Sequence, residues 1–146
     1  MAFNPGAFIA NINSIEQNKP NSRFDFANSW ANAYFAGYGN PTPPTLTNQI
    51  AKQAMLGLFM LAYKNNDNGK KFMNAAVSVF GAAMAPGMLP LWAAKPPLNY
   101  RGFEQVDISN VTVEGSLGPA LAAVTSAWFA TGTATQTTSG ATTTWL

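Results

Sequence analysis

The 146-residue sequence contains no cysteine and no histidine. Without cysteine there is no disulfide framework, thiolate nucleophile or zinc–thiolate site. Without histidine the commonest general base, the commonest metal ligand and the usual physiological-pH switch are missing. A chain of this length makes one domain of ordinary size and can bury a core without covalent cross-links. The most frequent catalytic and metal-binding chemistries are therefore not expected.

Charged side chains are also scarce. Eight Lys and Arg and six Asp and Glu make up 10% of the chain, against about 25% in an average soluble domain. A net charge of +2 gives a free monomer little colloidal repulsion, and the cores of protein interfaces are depleted in charge. The composition therefore favours a subunit covered by neighbours over a neutral-surfaced or extracellular monomer. The first residues lack a basic segment followed by an apolar one, so no secretory signal is expected.

The pattern of the chain predicts a mainly α fold. We expect a small helical domain of about four helices at 22–131, with a short β-hairpin or strand-like insert at 105–113. An extended N-terminal arm at 1–21, with room for a short helix over Phe8–Gln17, precedes this domain. A Thr/Gly-rich C-terminal arm at 132–146 follows it.

Two helices are predicted in the first half of the domain. Ser22 is the expected N-cap of the first, and Trp30 lies opposite its narrow polar wedge, so Trp30 is predicted to be a core residue. The second helix begins near Leu46. Its first half is amphipathic, with Ile50 and Ala54 on the apolar side, and its second half is apolar all round. The polar wedge of the first helix, opposite Trp30, consists of Asp25, Asn28, Ser29 and Asn32.

The segment Phe72–Ala94 has no charged residue and is long enough to span a bilayer. Pro86-Gly87 and Pro90 interrupt it, however, and each remaining piece is too short to cross. We interpret the segment as two helices that meet at a bend inside a soluble core. Membrane insertion is the alternative.

The C-terminal arm is expected to be disordered alone, because it has no charge and little apolar surface. Its Thr-rich chain has β-propensity, and Trp145 is a large apolar anchor, so we expect the arm to dock on a neighbouring subunit. Removal of residues 133–146 should then weaken assembly but leave the melting temperature of the monomer nearly unchanged. The candidate interface residues are Phe3, Phe8, Trp145 and Leu146.

No catalytic, cofactor-binding or metal-ligating motif is found. Glu104 and Asp107 are the one acidic pair, but three residues apart in an extended segment they point to opposite faces, so both are expected to be solvated. Glu114 is expected before the N-terminus of the last helix, where the dipole favours a negative charge. The only adjacent basic pair, Lys70 and Lys71, supports at most weak phosphate contact with a nucleic acid. No membrane partner is expected.

The whole chain loosely resembles small virion structural proteins of tailed bacteriophages. The resemblance rests on the neutral Asn/Thr/Ala-rich composition, the arm "MAFNPGAFIANINS" and the tail "TGTATQTTSGATTTWL". It implies a non-enzymatic protein of the virion, located in the capsid, neck or head–tail connector, that assembles with copies of itself and with other virion proteins. The alternative is a membrane-active phage protein, holin-like or ejected, that works through residues 72–94. An enzyme that uses Glu104 and Asp107 is a third hypothesis.

Overall fold

The computed structural model describes residues 3–38, 46–106 and 113–146. These residues form six α-helices, a short 3₁₀ helix and one antiparallel sheet, so the predicted mainly α fold class is confirmed. The helices are α1 (Pro5–Gln17), α2 (Arg23–Gly37), α3 (Leu46–Ala62), α4 (Gly69–Met84), α5 (Gly102–Gln105) and α6 (Leu117–Phe129), and the 3₁₀ helix is Ala85–Met88. The strands are β1 (Trp92–Lys95), β2 (Thr133–Gln136) and β3 (Thr142–Thr144).

The N-terminal arm is helical rather than extended over α1. The side chain of Asn4 caps the helix by accepting a hydrogen bond from the backbone N–H of Ala7. Pro5 occupies the first turn, where the missing N–H costs nothing, so this proline starts the helix instead of interrupting an extended chain. Phe8 and Ile12, one turn apart, are both fully buried, and they hold α1 against the rest of the domain.

Helix α2 begins as predicted. The Ser22 hydroxyl accepts a hydrogen bond from the backbone N–H of Asp25 at 3.1 Å. The Trp30 side chain is only 4% exposed, which confirms it as a core residue. Its ring lies 6.4 Å from Phe59 of α3 and 5.4 Å from Phe103 of α5. The aromatic face of α2 is therefore the centre on which the other helices pack.

The helices pack as consecutive pairs, α1 with α2, α2 with α3 and α3 with α4, and α6 closes the domain against α1. Contacts between α2 and α3 run from Phe26–Tyr63 at one end to Phe35–Lys52 at the other. The order of these contacts makes the two helices antiparallel. Short links place consecutive helices side by side in this way.

The uncharged segment at 72–94 divides as expected at Pro86-Gly87, but its second piece is not a buried helix. Helix α4 ends at Met84, the 3₁₀ helix contains Pro86, and the chain then enters strand β1. Leu89 and Leu91 are 60% and 66% exposed, so the interpretation of 88–94 as a core helix was wrong. Among the residues described, no helix has the length and apolar character needed to cross a bilayer.

The C-terminal arm folds back on its own domain. Strand β2 pairs antiparallel with β1 on one side and with β3 on the other, with Trp92 opposite Gln136 and Thr133 opposite Thr144. The β-branched threonines suit this pleated ribbon, and Gly140 supplies the positive φ of +74° in the connecting turn. Of the predicted insert at 105–113, Gln105 ends α5, and residues 107–112 lie outside the described residues.

Candidate assembly surfaces

The predicted interface residues of the two termini meet inside one subunit. Phe3 lies 5.4 Å from Phe129, measured between ring centroids, and Trp145 lies 6.5 Å from the same ring. Tyr38 touches both Phe129 and Trp145, at 5.7 and 6.1 Å. We call Phe3, Tyr38, Phe129 and Trp145 the terminal cluster. It ties the N-terminal and C-terminal segments to the end of α6.

Trp145 fills a pocket of its own chain. The side chain is 1% exposed, and its indole N–H donates to the carbonyl of Thr133 at 3.0 Å. The backbone N–H of Trp145 donates to the carbonyl of Gly132, and a Cβ at Gly132 would stand only 2.8 Å from the indole ring. The close approach needs glycine there. Trp145 therefore anchors the tail internally, where the sequence had suggested a pocket on a neighbour.

The other two predicted interface residues have opposite environments. Phe8 is fully buried, and its ring lies 5.0 Å from that of Tyr34. Leu146 is 45% exposed. Of the four residues, Leu146 thus keeps the most surface for a neighbouring molecule, and Phe8 keeps none.

Glu104 is the described member of the acidic pair named in the sequence. Glu104 is on the short helix α5 and pairs with Arg101 at 3.0 Å, with both side chains more than half exposed. Asp107 lies outside the described residues. In the described part of the chain, no three His, Cys, Asp or Glu side chains come together as metal ligands would.

A polar depression joins the end of α1 to the start of α6. Glu16 accepts a hydrogen bond from the backbone N–H of Gly115 at 3.4 Å, and Glu114 lines the same depression, as does Asn13. Ser116, the N-cap of α6, makes no side-chain cap of its own. Negative oxygens are stabilised at a helix N-terminus, so the dipole of α6 favours the carboxylates of Glu16 and Glu114. Glu16 Oε1 and Asn13 Oδ1 are nevertheless buried without a hydrogen-bond partner among the described residues. This position of Glu114 is the one expected from the sequence.

The core contains one chain of hydroxyl groups. Tyr100 shares hydrogen bonds with Tyr34 at 2.8 Å and with Thr125 at 2.9 Å, and all three residues are at most 2% exposed. Burial raises the pKa of Tyr34 well above its usual value, and burial raises the pKa of Tyr100 to about 12. These groups stay protonated and closed to solvent. They join α2 to α6 and have no access to a substrate.

Lys70 and Lys71 lie in the first turn of α4 and are exposed. They are adjacent on one helix, as predicted, and no other basic residue follows them in that helix. The weak phosphate contact through this pair stays a prediction.

The outer surface of the α1–α2 hairpin is rich in side-chain amides. The predicted polar wedge of α2 lies along this surface, and α1 adds amides and hydroxyls beside it. The residues that line the shallow depressions include Asn11, Ser14, Asn18, Asn28, Ser29 and Asn32. Amides and hydroxyls of this kind are well hydrated, although Phe24 at the start of α2 is also 57% exposed.

The outer surface of the α3–α4 hairpin carries exposed aliphatic side chains. Ile50 and Leu61 of α3 are 58% and 56% exposed, and Val79 of α4 is 37% exposed. The amphipathic pattern of α3 had placed Ile50 on the apolar side, yet the polar Asn48 is buried and Ile50 faces solvent. One feature of the sequence did indicate an exposed apolar surface on α3. The second half of this helix is apolar all round, and a single neighbouring surface cannot cover all sides of a helix.

A scan against protein-family models and searches of curated proteins and of solved structures found no match to this chain. Its function is therefore argued from these surfaces.

Proposed function

We propose that the chain is a non-enzymatic structural protein of a virion, of the tailed-bacteriophage type, that assembles with copies of itself and docks to other virion proteins. A place in the capsid, neck or head–tail connector suits this role. The observation that carries the proposal is the apolar outer surface of the α3–α4 hairpin. Ile50, Leu61 and Val79 are exposed there on two packed helices, whereas monomeric proteins leave large apolar patches uncovered only rarely.

The low charge supports the same role. With 10% charged residues and a net charge of +2, isolated copies repel each other weakly, and a subunit surface can be desolvated without burying many charges. The polar residues that remain are mostly amides and hydroxyls. These groups form hydrogen bonds with a neighbour at a smaller desolvation cost than charges carry.

Sedimentation velocity of the purified chain, without detergent and across a dilution series, tests the proposal. We expect soluble oligomers whose population grows with concentration. A chain that is monomeric at every concentration would contradict self-assembly. A chain that stays in solution only with detergent would instead favour the membrane-active alternative at residues 72–94.

A further inference from the structure

Four residues form an apolar stripe along the outer face of α3. Ile50, Ala54, Gly57 and Leu61 follow one another at spacings of four, three and four residues, so they fall within about 60° around the helix axis. Ile50 and Leu61 are the exposed ends, and Gly57 is exposed between them. We call these four residues the α3 stripe.

The rest of the domain leaves Ile50, Gly57 and Leu61 of the α3 stripe exposed and covers Ala54 in part. The core-facing side of α3 carries Ala51, Met55 and Phe59, which are all fully buried. One flank faces α2, because the Lys52 ammonium lies over the Phe35 ring and the Tyr63 ring touches Phe26. The stripe is centred roughly 130° from the core-facing side, on the other flank. It has no charged or polar side chain, so water is a poor partner for it.

The order of residues in the stripe identifies the partner. Ile50 and Leu61 lie at equal distances from a point between residues 55 and 56, and so do Ala54 and Gly57. The stripe therefore has the order large, small, small, large in either direction. An antiparallel second copy of α3 would place Ile50 against Leu61 of that copy and Ala54 against its Gly57. Self-complementarity of this kind is what a two-fold interface requires.

We propose that α3 pairs with α3 of a second copy, antiparallel, about a two-fold axis between residues 55 and 56. The pairing rests on the proposed function, for which it supplies one of the contacts between copies. Small residues beside the axis let two helices approach to about 8 Å, the lower limit of helix packing. In the isolated chain a Cβ at Gly57 would meet no atom within 4 Å. The fold of one subunit therefore does not need glycine there, but a close helix pair does.

The α4 helix widens the contact. Val79 and Ala82 are exposed on the outer side of the same hairpin. One helix pair covers less area than the total of about 1,600 Å² that typical stable interfaces bury. We therefore expect this contact to be concentration-dependent and to be one of several between copies.

Cysteine cross-linking tests the register, and the natural sequence contributes no background because it has no cysteine. Ile50→Cys and Leu61→Cys variants of the full chain are oxidised separately and as a mixture. The mixture should give the disulfide-linked Ile50→Cys/Leu61→Cys dimer. Each variant alone should give little, because its two cysteines would be about 16 Å apart along the helix axis and a disulfide needs Cα atoms within about 7 Å.

Two results of this experiment would overturn the pairing. Efficient linking of Ile50→Cys to itself would indicate a parallel pair. Oligomers in sedimentation without any Ile50–Leu61 link would place the contact elsewhere and leave the proposed function standing. A chain that never forms oligomers would contradict both the α3 pairing and the proposed function.

A charge placed in the stripe tests its energetic role, with a matched control on another face of the same helix. Gly57→Lys should raise the dissociation constant of the dimer about tenfold or more. Gln49→Lys adds the same charge at an exposed position about 100° away from the stripe and should change the constant less than about twofold. Equal effects of the two variants would overturn the pairing. Binding of the parent chain to neutral phosphatidylcholine vesicles, lost in Gly57→Lys without any dimer, would assign the stripe to lipid and also overturn the pairing.

Discussion

The α1–α2 hairpin and the α3–α4 hairpin both put an apolar face into the core, but their outer surfaces differ. The first exposes amides and hydroxyls along α1 and the wedge of α2, and Phe24 at the start of α2 is its exposed large apolar side chain. The second exposes Ile50, Leu61 and Val79. Both hairpins belong to one chain with one average composition, so the difference is local. An outer face made of amides is stable against water, whereas an outer face made of aliphatic side chains is stable against another protein surface.

The largest effect is expected on the inner faces, where the two hairpins are alike. Trp30→Ala should destabilise the fold by about 3–5 kcal/mol, because it leaves a cavity between α2, α3 and α5. Phe59 of α3 packs on Trp30, and Phe59→Ala should lower the free energy of unfolding by a similar amount. Chemical denaturation of the parent and both variants measures these values. A variant that melts within a few degrees of the parent would contradict the packing of that face.

The next effect concerns the tail that covers the end of the first hairpin. Trp145→Ala should lower the free energy of unfolding by about 3 kcal/mol. The indole fills a pocket beside Tyr38 and donates a hydrogen bond to the carbonyl of Thr133, and the variant loses both interactions. The sequence had led us to expect that removal of residues 133–146 would not change the melting temperature of the monomer. With Trp145 buried, we now expect removal to lower it. Leu146→Ala, at a half-exposed position, is the control that should change it little.

These cases show what the sequence could predict and why the rest was beyond it. Helical periodicity and the Ser22 cap are local properties, and they gave α2, its start after Ser22 and the burial of Trp30 correctly. The fold of the tail depends on contacts distant in sequence, since Trp145 packs on Tyr38 and β2 pairs with β1. A Thr-rich segment suits a strand in its own sheet as well as one in a neighbour's sheet.

The candidate surfaces were harder to predict for a similar reason. The pattern of α3 shows that Ile50 and Ala54 share an apolar side, and the sequence alone suggests that this side faces the core. The structure turns Ala51, Met55 and Phe59 inward instead. A helix with two apolar sides has no periodicity that identifies the inner one. Only the helices that pack on α3, namely α2 and α4, decide which of its sides faces the core.

Tyr34 on the inner face of α2 shares a buried hydrogen bond with Tyr100. The ionisation of these two hydroxyl groups should give a smaller effect on stability, which depends on pH. The unfolded pKa of tyrosine is about 10, and the folded pKa of Tyr100 is about 12. Burial also raises the pKa of Tyr34. The stability linked to the raised pKa of Tyr100 is fully present below pH 10 and is lost as the pH rises towards 12. Tyr100 alone should contribute a loss of about 1 kcal/mol at pH 11.

Denaturation midpoints at pH 9 and pH 11 measure this loss. Lysine deprotonation contributes in the same range, so the informative comparison is between the parent and Tyr100→Phe. The variant should lose less stability than the parent between the two pH values, whatever its stability at pH 9. Equal losses would mean that Tyr100 ionises as easily in the folded chain as in the unfolded one.

A change on the outer face of the second hairpin should be smaller again and opposite in sign. Gly57→Ala should stabilise the monomer by about 0.5–1 kcal/mol, because alanine is the better helix former and its Cβ meets no atom. Thermal unfolding at a concentration where dimers are absent measures this gain. A loss of stability would mean that the surroundings of Gly57 in the monomer are tighter than described.

The smallest effect is expected at Glu104, which belongs to neither hairpin. Glu104→Gln removes the ion pair with Arg101, but both side chains are more than half exposed, and pairs of this kind contribute about 0–1 kcal/mol. We expect no measurable change in the melting temperature at physiological salt and no change in the sedimentation profile, because the proposed role depends on surface packing. Arg101→Gln is the matched control, since it breaks the same pair from the other side. If Glu104→Gln abolished assembly or infectivity while Arg101→Gln had no effect and both variants stayed folded, the carboxylate itself would have a role, and a catalytic function would have to be considered again.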